Sequence, residues 1–112
     1  MKPREFITLS IDEVEWKGSS HAGVRFRPLR HDRDTGAGAM ILEMAPGTSY
    51  PAHLHTAGED VLVLEGELIV GALRHGPGSY VYSPPGSVHA PRTEKGCTMF
   101  IALPGRVEEV ER

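Results

Sequence analysis

The apolar positions of the chain fall into short runs, bounded by polar positions or by clusters of glycine and proline. Runs of this length between turn residues predict β-strands, whose successive side chains point to opposite faces. The continuous apolar runs at 39–44 and 60–64 predict strands that are buried on both faces. Strands are predicted at residues 24–29, 39–44, 60–64, 67–73, 79–82 and 97–103, with a further N-terminal strand at 6–9.

Turn residues separate these runs. The 13 glycines and 9 prolines include Pro46-Gly47, Ala57-Gly58, Glu65-Gly66, Gly76-Pro77-Gly78 and Pro84-Pro85-Gly86. Glycine tolerates a positive φ angle and proline fixes a bend, so these clusters indicate tight connections between strands. Six or more short strands connected in this way predict an all-β sandwich or barrel, and 112 residues fit one domain over 1–112.

Composition excludes several classes of function. The net charge is only −3 and no basic block occurs, which argues against direct nucleic-acid binding. No apolar run is long enough for a membrane span or a signal segment. A lone cysteine, Cys97, leaves no internal disulfide and fits the reducing cytoplasm. The charged residues 107–112 are predicted to form a solvated tail.

Two blocks of fixed spacing carry the candidate chemistry. The first block, residues 47–66, places His53, His55 and Glu59 between two glycines. The second block, residues 78–93, places His89 shortly after Pro84-Pro85-Gly86. Three imidazoles and a carboxylate form a ligand set that suits a first-row transition metal.

Strand geometry explains how these ligands converge. His53 and His55 are two residues apart, so both are expected on one face of a strand. A turn at 56–58 would begin the next strand at Glu59 and bring its carboxylate back towards the same metal. The bend before His89 would aim that imidazole inward from a separate strand. The alternative is an emptied pocket that binds no metal, or a pocket with a purely structural role.

The coordination number decides what such a metal can do. Four protein ligands close the shell of a tetrahedral zinc ion, which suits a structural or sensing site. The same four ligands leave two open positions on octahedral iron, manganese, nickel or cobalt. The sequence predicts one divalent transition metal per chain, Fe, Mn, Ni, Co or Zn, and leaves its identity open.

The two blocks resemble both sequence motifs of the cupin superfamily, including every metal-ligand position. Thr93 stands where the second motif often has Asn, which is not a ligand position. Further matching segments, among them Arg27-Pro28-Leu29 and Ser87-Val88-His89, make the chain similar to the ChrR-like cupins. This resemblance implies a small antiparallel β-barrel of jelly-roll type with the metal inside. Anti-sigma members of that group carry a helical zinc-binding half, which this chain is expected to lack.

The resemblance implies two main functions. The first is a metalloenzyme, such as a dioxygenase that acts on a diketone or hydroxyketone, with no catalytic residue separate from the metal ligands. The second is a sensing or regulatory module like the C-terminal domain of ChrR-like anti-sigma factors, and a purely structural metal is a third hypothesis. A small-molecule ligand in the barrel is expected in the first two. Because a strand at 6–9 would expose an unpaired edge, a homodimer is also expected.

Overall fold

A computed structural model describes residues 6–109 of the chain, apart from the side chains of His55 and of residues 107–109. Within this range the chain forms β-strands and one short 3-10 helix, Ile11–Glu13. The strands are β1 Lys17–Gly18, β2 Val24–His31, β3 Gly38–Met44, β4 His53–His55, β5 Glu59–Gly66, β6 Leu68–Val70, β7 Leu73–His75, β8 Tyr80–Ser83, β9 Val88–His89, β10 Cys97–Leu103 and β11 Val107–Glu109. None of the helical structure over 6–109 is long and apolar enough to cross a membrane.

Antiparallel pairing joins the strands into three sheets. The largest has the order β1-β2-β3-β10-β5-β8, the second has the order β11-β4-β9, and β6 pairs with β7. Strand β10 lies between β3 and β5, although both precede it by many residues in the chain. The chain therefore crosses between sheets, as in a jelly roll, and the predicted all-β class is confirmed.

Strand alternation places the core on one face of the six-stranded sheet. Cys97, Met99 and Ile101 of β10 are buried there, next to Val61 and Val63 of β5. Every second residue along these strand segments is apolar and buried, as expected for strands with one face in the core.

The prediction that the 60–64 strand is buried on both faces is wrong. Leu62 and Leu64 of β5 are 39% and 40% exposed, and they share the outer face of the sheet with Tyr80 and Tyr82 of β8. No described element covers that part of the outer face, so apolar residues remain accessible on it.

On strand β3 of the same sheet the outer face is better covered. Ile41 is only 3% exposed, and its cross-strand partner Arg27 stacks over the Trp16 ring at 4.4 Å. Arg25 stacks over the same ring at 4.2 Å, and its Nε donates to Glu43 at 2.6 Å. These cation–π contacts fix Trp16 on the sheet.

Three segments differ from the sequence prediction. The run at 67–73 is not one strand but a hairpin of β6 and β7, which turns at Gly71 and Ala72. Residues 6–9 form no strand within the single chain. The predicted tail at 107–112 contains β11, whose backbone pairs with the edge of β4, while residues 110–112 lie outside the described part of the chain.

Gly66 gives a test of how tightly β5 and β10 approach each other. Its φ is 78°, and a Cβ atom at this position would lie 2.0 Å from the Gly96 carbonyl oxygen. Gly71 also has a positive φ, 62°, but a Cβ there would meet no atom within 4 Å. Both positions share the left-handed backbone, and only Gly66 adds a clash with main chain.

We predict that Gly66→Ala lowers the free energy of unfolding by roughly 3 kcal/mol, whereas Gly71→Ala lowers it by about 1 kcal/mol. Urea denaturation of both variants and the parent protein measures this difference. Equal losses in the two variants would contradict the close approach of β5 to β10.

Candidate metal centre

Three strands bring the predicted ligands together. His53 opens β4, Glu59 opens β5, and His89 closes β9. The β4–β9 pairing sets His53 directly opposite His89, and their ring centroids are 4.8 Å apart. The turn at 56–58 returns the chain so that Glu59 Oε1 lies 3.7 Å from His89 Nε2. One ligand atom from each of the three residues lies within 4.8 Å of the other two.

Burial controls the charge of Glu59. Its side chain is only 8% exposed, and that of His89 only 13%. Desolvation, with a smaller contribution from the Asp60 carboxylate, raises the pKa of Glu59 from 4.5 to about 7. A carboxylate in this position is therefore costly to ionise unless a cation lies beside it.

The tautomer of His53 is set by its surroundings. His53 Nδ1 lies 3.0 Å from the Pro51 carbonyl oxygen, which can only accept a hydrogen bond. Nδ1 therefore carries the proton, and Nε2 is left with the lone pair that a metal requires.

The fourth predicted ligand, His55, ends β4 opposite Val107 of β11. Its side chain lies outside the described part of the structure. Its role as a ligand therefore stays a prediction that rests on its spacing from His53.

Aromatic packing connects the centre to His21, which lies outside both sequence blocks. The Tyr50 ring contacts His53 edge-on at 5.2 Å and His21 edge-on at 4.7 Å. His21 is half-buried against Tyr50. The other two histidines outside the two blocks are His31, which is exposed, and His75, which is half-buried in β7. No spacing rule identifies His21, because the contact depends on how the loop before β2 folds over the barrel.

A cavity of about 160 Å³ adjoins the three candidate ligands. Met44, Tyr50 and Met99 line it, whereas Phe26, Tyr82 and Phe100 do not. The described lining consists of Met40, Leu42, Met44, Tyr50, His53, Glu59, Val61, Leu68, His89, Pro91, Met99, Ile101 and Leu103.

The thiol of the single cysteine is not suited to chemistry. Cys97 is buried, and its burial raises its pKa to about 11. The thiolate, which is the reactive form, is therefore disfavoured, and Cys97 acts as a small apolar core residue.

The donor set fits a divalent transition metal. Two imidazoles and one carboxylate, brought together in a buried site beside a cavity, are the ligands that non-haem iron and related metals use with open coordination positions. An ion would also place a positive charge beside the buried Glu59 carboxylate. These residues form a candidate metal site, and nothing in them selects one metal.

Fold and site together define a cupin-type jelly roll with a candidate metal centre inside the barrel. The family model of the ChrR Cupin-like domain matches residues 4–105. The chain therefore belongs to the ChrR Cupin-like family. No curated protein matches it significantly.

Solved structures agree with this fold. A Ralstonia eutropha JMP134 protein with a cupin-like fold is 21% identical, with a TM-score of 0.87 over 100% of this chain and 75% of that one. An acetylacetone dioxygenase from Acinetobacter johnsonii is 14% identical, with a TM-score of 0.80 over 99% of this chain and 80% of that one. A chain of the Rhodobacter sphaeroides complex of SigE with the anti-sigma ChrR is 27% identical. That match has a TM-score of 0.72 and covers 84% of this chain and 51% of the other.

The raised pKa of Glu59 has a measurable consequence for the metal-free protein. In the unfolded chain this carboxyl loses its proton near pH 4.5, but in the folded chain it keeps the proton up to about pH 7. At this group the folded state thus binds more protons in this window, so the contribution of Glu59 to stability is largest below pH 4.5 and falls as pH rises to 7.

We predict that Glu59 removes about 3 kcal/mol of stability between these pH values in metal-free protein. Glu59→Gln, which cannot ionise, should abolish that part of the pH dependence. Denaturant unfolding of both proteins from pH 4 to 8, with a chelator present, measures it. Parallel pH profiles for the two proteins would contradict the burial of the carboxylate.

Proposed function

We propose that the protein is a small metalloenzyme of the dioxygenase type that acts on a diketone or hydroxyketone. The proposed metal ligands are His53, His55, Glu59 and His89. The observation that carries the proposal is the juxtaposition of the His53–Glu59–His89 cluster with a cavity whose remaining described wall is almost entirely apolar. A structural metal site needs ligands but no adjoining cavity.

A bound divalent metal would supply Lewis-acid polarisation of a chelating oxygen substrate and, if redox-active, reactivity towards dioxygen. The chain's own residues prepare the site for this. The hydrogen bond from His53 Nδ1–H to the Pro51 carbonyl keeps Nε2 unprotonated. Glu59 supplies one negative charge, and the apolar wall offers water no hydrogen-bond partner.

The substrate class is supported by structural likeness as well as by the site. The acetylacetone dioxygenase from Acinetobacter johnsonii has this fold over nearly the whole chain. At 14% identity the likeness concerns the fold, so the diketone is proposed because it matches the site: two oxygens can chelate one metal, and alkyl groups suit an apolar wall.

We predict that His53→Ala and His89→Ala each weaken metal binding at least about 100-fold, because each removes a direct ligand. Elemental analysis of protein purified without added metal, followed by titration with Fe(II), measures this loss. Oxygen consumption with acetylacetone should disappear in the same variants. His31→Ala, which removes an exposed histidine outside the centre, is the matched control and should behave like the parent.

A different outcome would favour a second function. The chain belongs to the ChrR Cupin-like family, and it is similar to a chain of the SigE–ChrR complex. If the protein holds only zinc in a closed four-ligand shell and consumes no oxygen with diketones, the dioxygenase proposal fails. Binding of a sigma factor by that zinc protein, measured by calorimetry, would then support a sensing or regulatory module.

We also propose that the protein is a homodimer. The segment at 6–9 carries Phe6 and Ile7, which are 99% and 68% exposed, and it pairs with no strand in the single chain. A second copy would bury this apolar segment and supply backbone partners for it.

Light scattering coupled to size exclusion should therefore find a dimer, and Ile7→Glu should shift it to the monomer. Leu73→Glu, which places the same charge at a position that is 67% exposed on β7, should leave the dimer intact. A parent protein that is monomeric at high concentration would refute the proposal.

A further inference from the structure

We infer that the cavity selects a small ligand whose polar atoms all lie at one end, with an uncharged alkyl part against strands β3 and β10. This inference rests on the proposed function, because it names the kind of ligand that the metal centre takes. Its basis is the unequal chemistry of the cavity walls.

The polar wall comes from one side of the barrel. His53 and His89 belong to the β11-β4-β9 sheet, and Glu59 opens β5 at the adjoining corner. Every hydrogen-bonding side chain in the described lining is one of these three or Tyr50, which contacts His53. The oxygen atoms of a ligand are therefore accommodated at this wall.

The apolar wall of the cavity comes from the six-stranded sheet. Its inward apolar side chains in the cavity are Met40, Leu42 and Met44 of β3, Val61 of β5, and Met99, Ile101 and Leu103 of β10. Alternation along the strands places them all on one face, since Met40 pairs with Ile101 and Leu42 with Met99. This wall offers a ligand only apolar contact.

Charge excludes ligands that are anionic at both ends. The described lining contains no lysine or arginine. A carboxylate or phosphate at the alkyl end would be buried against methionine and leucine side chains without a counter-charge, which is strongly unfavourable. An anionic group is tolerable only beside the metal.

Volume and flexibility limit the alkyl part. A cavity of about 160 Å³ suits a ligand of roughly six to eight non-hydrogen atoms, since dry cavities of similar size bind benzene. Three of the four methionines in the sequence, Met40, Met44 and Met99, line it. Methionine side chains adapt to irregular shapes, so modest changes in alkyl length are accommodated at this wall.

Acetylacetone and malonate provide a matched test of charge. The two molecules have the same number of non-hydrogen atoms, but malonate carries carboxylate oxygens where acetylacetone has methyl groups. Calorimetric titration of the metal-loaded protein in the absence of oxygen should give a Kd for acetylacetone at least about tenfold lower than that for malonate. Equal or tighter binding of malonate, or no binding of acetylacetone, would overturn the inference.

Wall variants test the orientation of the ligand. Met40→Ala should shift the ratio of the Kd values for acetylacetone and hexane-2,4-dione by about fourfold in favour of hexane-2,4-dione, because the new space buries its one additional methylene. Leu103→Ala, in the same wall, should shift the ratio in the same direction and serves if Met40→Ala does not fold. Leu62→Ala, on the outer face of β5, is the control and should leave the ratio unchanged. An unchanged ratio in a folded wall variant would refute contact of the alkyl part with β3 and β10.

The outcomes separate this inference from the function on which it rests. A protein that binds no metal refutes the proposed function and this inference with it. Metal-loaded protein without the expected ligand preference refutes only the inference. Binding of acetylacetone with the expected preference but without oxygen consumption contradicts the dioxygenase activity and leaves the ligand class standing.

Discussion

The carboxylate of Glu59 lies 3.7 Å from His89 Nε2 in a part of the barrel where its side chain is 8% exposed. Burial there favours the neutral carboxyl, so the pKa rises to about 7 and ionisation works against folding. The surrounding strands nevertheless fix this group next to two imidazoles instead of letting it reach solvent. A divalent cation at this point would reverse the balance, because the ionised carboxylate and the unprotonated imidazoles are the forms that bind it.

The strands around the His53–Glu59–His89 cluster are arranged so that they hold these three residues in place. Short strand β4 needs partners on both edges, and β9 and β11 supply them. Strand β5 begins in the cluster with Glu59 and continues into the core with Val61 and Val63. One strand thus joins the polar centre to the apolar wall, and its alternation sets the boundary between them.

The proximity of His53, Glu59 and His89 could be predicted because the turns that bring them together are marked in the sequence, while their role as metal ligands stays a prediction. His53 and Glu59 are separated by one turn, whose residues are readable in the sequence, and the bend before His89 is marked by Pro84-Pro85-Gly86. The limits of β10 were also predicted, since its alternation spans the whole strand. Features that depend on distant partners were missed. Strand β11 is charged and forms because an edge of β4 is available, and His21 is half-buried because it meets Tyr50.

The apolar cavity distinguishes between the possible roles of the centre. A space of about 160 Å³, lined mainly by apolar side chains, adjoins the three candidate ligands. A metal that only stabilised the fold would gain nothing from such a space, and closer packing of the side chains around the ligands would be favoured. A metal that receives a small molecule requires it. The cavity beside His53, Glu59 and His89 therefore favours ligand binding over a purely structural role, whether the consequence of binding is oxidation of the ligand or a signal to a partner.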